Sequence, residues 1–222
     1  MMNIIKKTSP NYDDREIPVQ YLVLHYTATD LEQTLAIFLK KNGTVSSHLV
    51  IDRDGTVYEL VSCLEGKAKR ARHAGPSQWT DNKDSLEAFN DFAIGIELIN
   101  YNGNLFDYTD AQYNALNDVL KILQQYYPAL LSPGRVLGHE QVSGFRGKAD
   151  PGLCFDWLRF YQQCFPGQDY PDRIGVCPVE LQITLERFKV TEPQEKQARA
   201  AYWVSVSSVL ETSVRLIQEA KK

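Results

Sequence analysis

The chain has 222 residues, enough for one domain of ordinary size with an appendage. Hydrophobic residues make up 43% of the sequence and charged residues 23%, which excludes intrinsic disorder, collagen and a coiled coil. The formal net charge is −4, and this acidic balance argues against electrostatic binding of a nucleic-acid backbone. We therefore expect a folded, soluble protein with no nucleic-acid partner.

Apolar runs and cysteine usage bear on the compartment. No apolar run approaches the roughly 18 residues that a membrane span requires, and residues 1–10 lack the apolar stretch of a secretory signal. The cysteines form no CxxC pair, which favours free thiols over disulfides or a cysteine zinc site: Cys63, Cys154, Cys164 and Cys177. The sequence as written predicts a cytoplasmic protein with no transmembrane segment. A trimmed export signal would place it in the periplasm or cell envelope instead.

The predicted elements of the first half are strands joined by one helix. Short apolar stretches predict strands over residues 21–26 and 93–100. Asp30 is an N-cap candidate before an apolar helical face that ends near residue 42. Residues 47–52 and 56–61 flank a turn sequence that contains Gly55, which predicts a hairpin. Strand, helix and hairpin together indicate an α/β fold.

The predicted elements of the second half are mainly helices. Residues 109–127 open with a Thr109-Asp110 cap candidate and stop before Pro128, which predicts a long helix. Residues 135–138 predict a short strand that leads to His139. The glycine-rich and charged segment 140–152 predicts a loop, and residues 155–165 resume a helical pattern.

Two histidines and an aspartate are candidate metal ligands. His25 ends one predicted strand, His139 ends another, and Asp150 lies in the loop after the second. Metal sites are commonly assembled at the rim of a sheet, and zinc with three protein ligands and one open position is the catalytic pattern. Spacing alone is weak evidence, so the alternative is that both histidines are hydrogen-bonded core residues.

Four further polar residues are candidates for chemistry. Glu97 lies in an apolar strand and points to the face opposite its apolar neighbours, so its carboxylate must be paired, protonated or functional. Lys148 would lie near a bound metal, where an ammonium stabilises a developing oxyanion; the alternative is a solvated loop lysine. His48 and His73 either line a cleft or are hydrogen-bonded structural histidines.

Six stretches occur in a defined order along the chain: HYTA (25–28), SSHLVIDRDGTVYELV (46–61), RHAGPSQW (72–79), NDFAIGIELIN (90–100), YTDAQYNAL (108–116) and GHEQVSGFRGKADPGLCFDW (138–157). Together they resemble the zinc-dependent N-acetylmuramoyl-L-alanine amidases over about residues 18–165. Six ordered motifs are far more specific than any one of them. The resemblance favours the metal site over the alternative of two core histidines.

The resemblance implies a fold and a reaction. The expected fold is α/β, a single mixed β-sheet flanked by helices on both faces, with a C-terminal helical extension. His25, His139 and Asp150 match the ligands of one Zn²⁺ per chain, Glu97 the general base, and Lys148 the oxyanion-stabilising lysine. The implied reaction is hydrolysis, by zinc-activated water, of the amide between N-acetylmuramic acid and L-alanine in peptidoglycan or its muropeptide fragments.

Substrate contacts are predicted at three side chains: His73, Arg72 and His48. Arg72 stands where family members commonly carry an aromatic residue, and its guanidinium would either meet a carboxylate of the stem peptide or lie on the surface. The motifs resemble both cytoplasmic recycling amidases that act on anhydro-muropeptides and envelope relatives with broader substrates. The alternative function is a peptidoglycan-recognition module that binds without cleaving.

Residues 171–222 form a separate segment of the sequence. Three prolines and two glycines in residues 166–178 mark a boundary between a zinc amidase catalytic domain (1–170) and a helical extension (171–222). Apolar residues of the extension recur at helical spacing: Trp203, Val206, Leu210, Val214 and Ile217. This face either covers the catalytic domain as a cap, which we favour, or binds the wall or a partner.

Overall fold

The computed structural model describes residues 3–80, 85–173 and 175–222. Within these residues the strands are β1 (Ile4–Lys6), β2 (Tyr12–Glu16), β3 (Tyr21–Tyr26), β4 (Leu49–Ile51), β5 (Val57–Glu59), β6 (Lys69–Ala71), β7 (Gln78–Thr80), β8 (Ser85–Glu87), β9 (Ala93–Leu98) and β10 (Val136–Gly138). The α-helices are α1 (Leu31–Phe38), α2 (Asp110–Tyr126), α3 (His139–Ser143), α4 (Trp157–Cys164), α5 (Val179–Thr191) and α6 (Lys196–Ala220).

A six-stranded mixed sheet has the strand order β1-β5-β4-β9-β3-β10. The hairpin partners β4 and β5 are antiparallel, as predicted, and the other neighbouring pairs are parallel. The carboxyl ends of β9, β3 and β10 therefore lie at one edge of the sheet, which is where α/β folds usually place their ligands. Two ribbons, β2 with β6 and β7 with β8, lie outside this sheet and are not predicted by the sequence.

The two faces of the sheet pack against different helices because side chains alternate along a strand. Leu22 and Ile94 belong to an apolar cluster that includes residues of α2 and α4. Val23 packs in a second cluster with Val142 of α3, and Val50 packs in a third with residues of α1. The expected mixed sheet with helices on both faces is confirmed.

Helix α2 begins where the sequence predicts. The Thr109 hydroxyl accepts a hydrogen bond from the Gln112 backbone N–H, and Gln112 Oε1 accepts one from the Thr109 N–H, both at 3.1 Å. This reciprocal capping box satisfies two backbone donors that the first helical turn leaves free. The helix ends at Tyr126, two residues before Pro128.

Helix α1 is shorter than predicted and ends at Phe38 rather than near residue 42. The Asn11 side-chain amide donates to the carbonyls of Phe38 and Lys40, both at 3.0 Å, and the Ser9 hydroxyl also donates to the Phe38 carbonyl. These bonds satisfy carbonyls that a continued helix would have used. The helix therefore stops one turn early.

The segment after β10 corrects a second prediction. It was expected to be a loop, but it begins with the short helix α3 and a 3₁₀ turn over Gly144–Arg146. The backbone N–H of Gly138 donates to Gln141 Oε1 at 2.8 Å. This bond gives a partner to a backbone donor at the start of the helix. The loop was predicted from the glycine and charge content of this segment, which does not reveal the capping interaction.

The C-terminal helices pack on the rest of the chain through an apolar cluster that contains Leu105, Ala149, Cys177, Leu185, Trp203, Val206, Leu210 and Val214. Four of the five predicted apolar-face residues of α6 are buried, and Ile217 is partly buried. The predicted amphipathic face is thus covered.

The sequence predicts free cysteine thiols and no transmembrane segment. All four cysteines are free thiols, as predicted, and Cys63 and Cys177 are buried. Across the described ranges, no helix is both long and apolar enough to cross a membrane.

Candidate metal centre and active site

Four polar side chains meet at the carboxyl edge of the central sheet. His25 and Glu97 are register partners on the parallel strands β3 and β9, so both point to the same face. His139 follows β10 directly as the first residue of α3. Asp150 comes from the returning chain, which is held to α3 by a hydrogen bond from the Glu140 N–H to the Asp150 carbonyl at 2.8 Å.

The predicted ligand atoms converge on one point. His25 Nδ1 and His139 Nδ1 each lie 3.0 Å from Asp150 Oδ2, and the three atoms all lie within 4.8 Å of one another. All three side chains are buried. The structure therefore brings the predicted trio together in an arrangement that can hold a metal ion.

Outer hydrogen bonds decide which nitrogen of each ring is protonated. His139 Nε2 lies 3.1 Å from the Ala74 carbonyl, and His73 Nε2 lies 3.1 Å from the Ala93 carbonyl. Because a carbonyl only accepts, we assign the proton to each of these nitrogens. His73 Nδ1 then accepts the N–H of His25 Nε2 at 3.1 Å. Outer partners of this kind are usual for metal-ligating histidines.

A neutral ring that carries its proton on the outer nitrogen leaves its inner nitrogen unprotonated. Burial lowers the pKa of His25 to about 4, which keeps that ring neutral at pH 7. Two lone pairs then face a carboxylate oxygen at 3.0 Å, a repulsive arrangement that a cation between them relieves. A four-coordinate ion with ligand distances of about 2.0–2.2 Å holds its donors roughly 3.4 Å apart. The donor set fits such an ion.

The Asp150 carboxylate supplies the negative charge of this donor set. The carboxylate is the form of this side chain that binds a metal ion, because a metal ligand must be deprotonated. One charged ligand and two neutral ones leave a divalent ion with net positive charge, which suits it to polarise water and a carbonyl.

Glu97 lies in the same cleft but outside the trio. Its side chain is buried, and Oε2 has no hydrogen-bond partner among the described residues. Burial and the charge of Asp150 raise the pKa of Glu97 well above its usual range, while the ammonium of Lys148 acts in the opposite direction. A carboxyl group with an unpaired oxygen and a raised pKa is suited to proton transfer.

His73 lines the cleft and supports the His25 ring. Its own ring lies directly over β9: a Cβ on Gly95 would come within 2.3 Å of His73 Cγ, so only glycine fits there. The backbone N–H of His73 donates to the Asn90 side chain at 3.0 Å. These contacts fix the ring that accepts from His25, and the predicted substrate contact of His73 stays a prediction.

Arg72 also lines the cleft. Its guanidinium donates to Asp13 Oδ1 at 2.7 Å, and the side chain is 38% exposed. An arginine held on one side by a carboxylate keeps further donors for a second one. The position is compatible with the predicted contact to a substrate carboxylate.

His48 corrects one of the predictions. Its ring is completely buried, with Nε2 donating to the Lys69 carbonyl at 2.8 Å and Nδ1 accepting from the Gly95 N–H at 3.0 Å. Both ring nitrogens are used within the protein, so the side chain has no group left for substrate. The role of His48 is to tie β6 to β9, the strand that bears Glu97.

One wall of the cleft is not predicted by the sequence. The cleft has a volume of about 370 Å³, and α6 contributes Val204, Ser207, Ser208 and Glu211 to it. The Lys148 ammonium, also in the cleft, forms an ion pair with the Glu211 carboxylate. The amphipathic pattern of α6 indicated that the helix is covered, but nothing in it pointed to the cleft. A larger cavity, about 720 Å³, lies between α1 and the start of α6 and contains none of the predicted site residues.

A mixed sheet with two histidines, an aspartate and a buried glutamate at its carboxyl edge is an arrangement suited to metal-assisted hydrolysis. Residues 15–153, more than half of the chain, match the family model described as N-acetylmuramoyl-L-alanine amidase. The chain belongs to this family. Its activity is accordingly hydrolysis of the amide between N-acetylmuramic acid and L-alanine.

Individual relatives support the assignment. The 1,6-anhydro-N-acetylmuramyl-L-alanine amidase AmpD of Haemophilus influenzae is 34% identical over 172 residues, which cover 68% of this chain and 87% of that protein. A crystal structure of a selenomethionine derivative of AmpD has a TM-score of 0.60 and 32% identity, covering 73% of this chain and 95% of its own. Escherichia coli AmiD, in complex with anhydro-N-acetylmuramic acid-L-Ala-D-γ-Glu-L-Lys, has a TM-score of 0.57 and 29% identity, covering 73% and 63% respectively.

Proposed function

We propose that this amidase acts on muropeptide fragments with a 1,6-anhydro end, in cell-wall recycling, and that one zinc ion is held by His25, His139 and Asp150. The observation that carries the proposal is the convergence of two unprotonated imidazole nitrogens and a carboxylate beside Glu97. Two nitrogens and one oxygen with a fourth position open are the ligand set of catalytic zinc. The substrates named for AmpD and for the AmiD complex support the fragment class.

Each residue has one task in the proposed reaction. When bound, zinc supplies Lewis acidity, which lowers the pKa of a water molecule and polarises the scissile carbonyl. Glu97 accepts a proton from the attacking water at Oε2 and passes it to the departing amine of L-alanine. Lys148 donates to the carbonyl oxygen as negative charge develops there. His73 orients the His25 ring and keeps its inner nitrogen unprotonated.

Arg72 is the proposed anchor for the stem peptide. Its guanidinium lies in the cleft with the ligand residues and is only partly used by Asp13. The stem peptide carries carboxylates beyond L-alanine, and an arginine pairs with a carboxylate through two parallel hydrogen bonds. The residue proposed to bind the peptide, Arg72, is thus distinct from the residue proposed to bind the reacting carbonyl, Lys148.

The substrate proposal is tested with a defined mixture of muropeptides that carry either reducing or 1,6-anhydro muramic acid ends. The zinc-loaded protein is incubated with the mixture, and products are identified by mass spectrometry. We expect free stem peptide from the anhydro species at a rate well above that from the reducing species. Equal release from both would indicate an envelope-type enzyme with broader substrates. Absence of release from either, with zinc bound, would favour recognition without cleavage.

We further propose that residues 171–222 are a helical cap on the catalytic domain of residues 1–170. The apolar cluster joins residues from both segments, including Ala149 next to Asp150 and Leu210 on α6. Burial of a shared cluster stabilises both segments. A mobile recognition module would instead have its own core.

The cap proposal predicts a stability loss from Leu210→Ala. Leu210 is completely buried in the shared cluster, and its truncation costs about 2–5 kcal/mol of unfolding free energy. We expect Tm to fall by roughly 5–15 °C in calorimetry. The matched control is Val209→Ala, next along the helix and 55% exposed, with Tm within about 2 °C of wild type. Equal Tm values for both variants would contradict docking of α6.

A further inference from the structure

Helix α6 lies outside the residues matched by the family model, which end at residue 153, yet it forms one wall of the cleft. Its side chains face the same space as His25, Glu97 and Lys148. A segment that the family match does not cover therefore contributes to the surface beside the reacting groups. The contacts of this helix with residues 147–149, the segment that contains Lys148, show how it contributes.

The loop before Lys148 is packed directly on the backbone of α6. Gly147 has φ +91°, and a Cβ at this position would lie 1.7 Å from the Glu211 carbonyl oxygen. Only glycine allows this approach, both for its φ and for the space. On the other side of Lys148, Ala149 is buried in the apolar cluster with Leu210. Lys148 is thus flanked by two residues that α6 holds in place.

The Lys148 ammonium pairs with the Glu211 carboxylate across 63 residues of sequence. The two side chains are 23% and 34% exposed, so water screens this pair less than a surface pair. Over residues 3–80, 85–173 and 175–222, Glu211 is the only hydrogen-bonding partner of this ammonium. An ammonium has three N–H donors, so this bond leaves two for the cleft.

Helix α6 also faces the strand of a proposed zinc ligand across the cleft. Ser207, one turn before Glu211, is buried and lines the cleft together with Tyr26. Tyr26 directly follows His25 on β3. Helix α6 therefore faces the strand that presents the first ligand and contacts the loop that presents Lys148.

We propose that Glu211 is a positioning residue of this amidase, which holds the Lys148 ammonium beside the scissile carbonyl, and that α6 is part of the active site. A free lysine side chain samples many rotamers, and the ion pair restricts them before substrate arrives. The proposal rests on the proposed role of Lys148 in stabilising the oxyanion. It assigns to the C-terminal segment a catalytic consequence in addition to its role as a cap.

The test is a double-mutant cycle with Lys148→Ala, Glu211→Ala and the combined variant, all assayed on anhydro-muropeptide with matched zinc content. Loss of the lysine should lower kcat by about 10²–10³-fold, as for an oxyanion donor. Glu211→Ala should lower kcat by about 10- to 100-fold, with KM within about threefold of wild type. In the Lys148→Ala background, Glu211→Ala should change kcat by less than about twofold, because its effect passes through the lysine.

Two further variants sharpen the cycle. Glu211→Asp keeps the charge and should retain more kcat than Glu211→Ala. Glu219→Gln removes an exposed carboxylate of the same helix, which pairs with Arg215, and should leave kcat unchanged. A Glu211→Ala kcat equal to or above that of wild type would overturn the proposal. So would a loss of equal size in both the wild-type and Lys148→Ala backgrounds, because it would show that Glu211 acts independently of the lysine.

A measurement without substrate separates this proposal from the proposed function. The rate at which an amine-reactive ester labels Lys148 is followed by peptide mass spectrometry. Release of the ammonium in Glu211→Gln should raise that rate by about threefold or more, with no change in Glu219→Gln. Unchanged labelling would overturn the ion pair as a restraint. Lys148 of wild type could be labelled more slowly than Lys148 of Glu211→Gln while wild type cleaves no muropeptide. In that case the proposed function fails and the restraint stands.

Discussion

Replacement of Glu97 by glutamine is expected to lower kcat by about 10²–10⁴-fold and to leave the bound zinc in place. The amide keeps the shape of the side chain but cannot accept a proton from water or pass one to the leaving amine. Glu97 lies outside the ligand trio. Loss of the negative charge of Glu97 should therefore leave the metal bound. Initial rates of stem-peptide release, with zinc measured per chain by elemental analysis, check both expectations.

The control for this variant is Glu140→Gln. Glu140 is also buried, it also has an oxygen without a hydrogen-bond partner among the described residues, and burial raises its pKa to about 8. It does not line the cleft, however, so the same substitution should leave kcat within about threefold of wild type. A Glu97→Gln enzyme with a rate near that of wild type would refute the role of general base. Loss of zinc in that variant would instead make Glu97 part of the metal site.

Replacement of Asp150 by asparagine is expected to abolish zinc retention and, with it, turnover. The substitution removes the one negative charge of the trio while keeping the size of the side chain. Its effect on zinc affinity should exceed the roughly 10- to 100-fold that loss of an outer hydrogen-bonding partner costs. Zinc titration by calorimetry measures the affinity, and elemental analysis after dialysis measures the retained metal.

Thermal unfolding gives a readout of the same site that does not depend on substrate. A ligand at about 100 times its Kd stabilises the folded state by about 2.7 kcal/mol, so zinc should raise the Tm of the wild type by roughly 5–10 °C. The Asp150→Asn variant should show almost none of this increase. Asp169→Asn, which changes an exposed aspartate, should respond to zinc as wild type does. Equal zinc stabilisation of Asp150→Asn and wild type would remove Asp150 from the ligand set.

Local patterns in the sequence were sufficient for much of the fold. The helix start at Thr109, the hairpin around Gly55 and the apolar strand with His25 all depend on residues close together in the chain. Such patterns are set by the periods of helices and strands and by capping chemistry, and they appear in the structure as predicted. Short strands such as β1, whose side chains are exposed or only partly buried, show no such pattern and were missed.

Polar contacts between distant segments explain the predictions that failed. Asn11 ends α1 early by binding the Phe38 carbonyl, although the two residues are far apart in sequence. His48 is excluded from substrate because its two ring nitrogens bind backbone atoms of β6 and β9. No window of local sequence contains both partners of such a bond, so periodicity cannot reveal it.

The sequence by itself determined the residue types of the site, because motifs in a fixed order specify His25, Glu97, His139, Lys148 and Asp150 together. Only the tertiary structure decided how these groups are used. Backbone carbonyls bind the outer nitrogens of His139 and His73, and the Glu211 carboxylate of α6 binds Lys148. These partners come from segments that are distant in the chain. The physical reason is that protonation and orientation depend on what lies within hydrogen-bond distance after packing, which chain order alone does not fix.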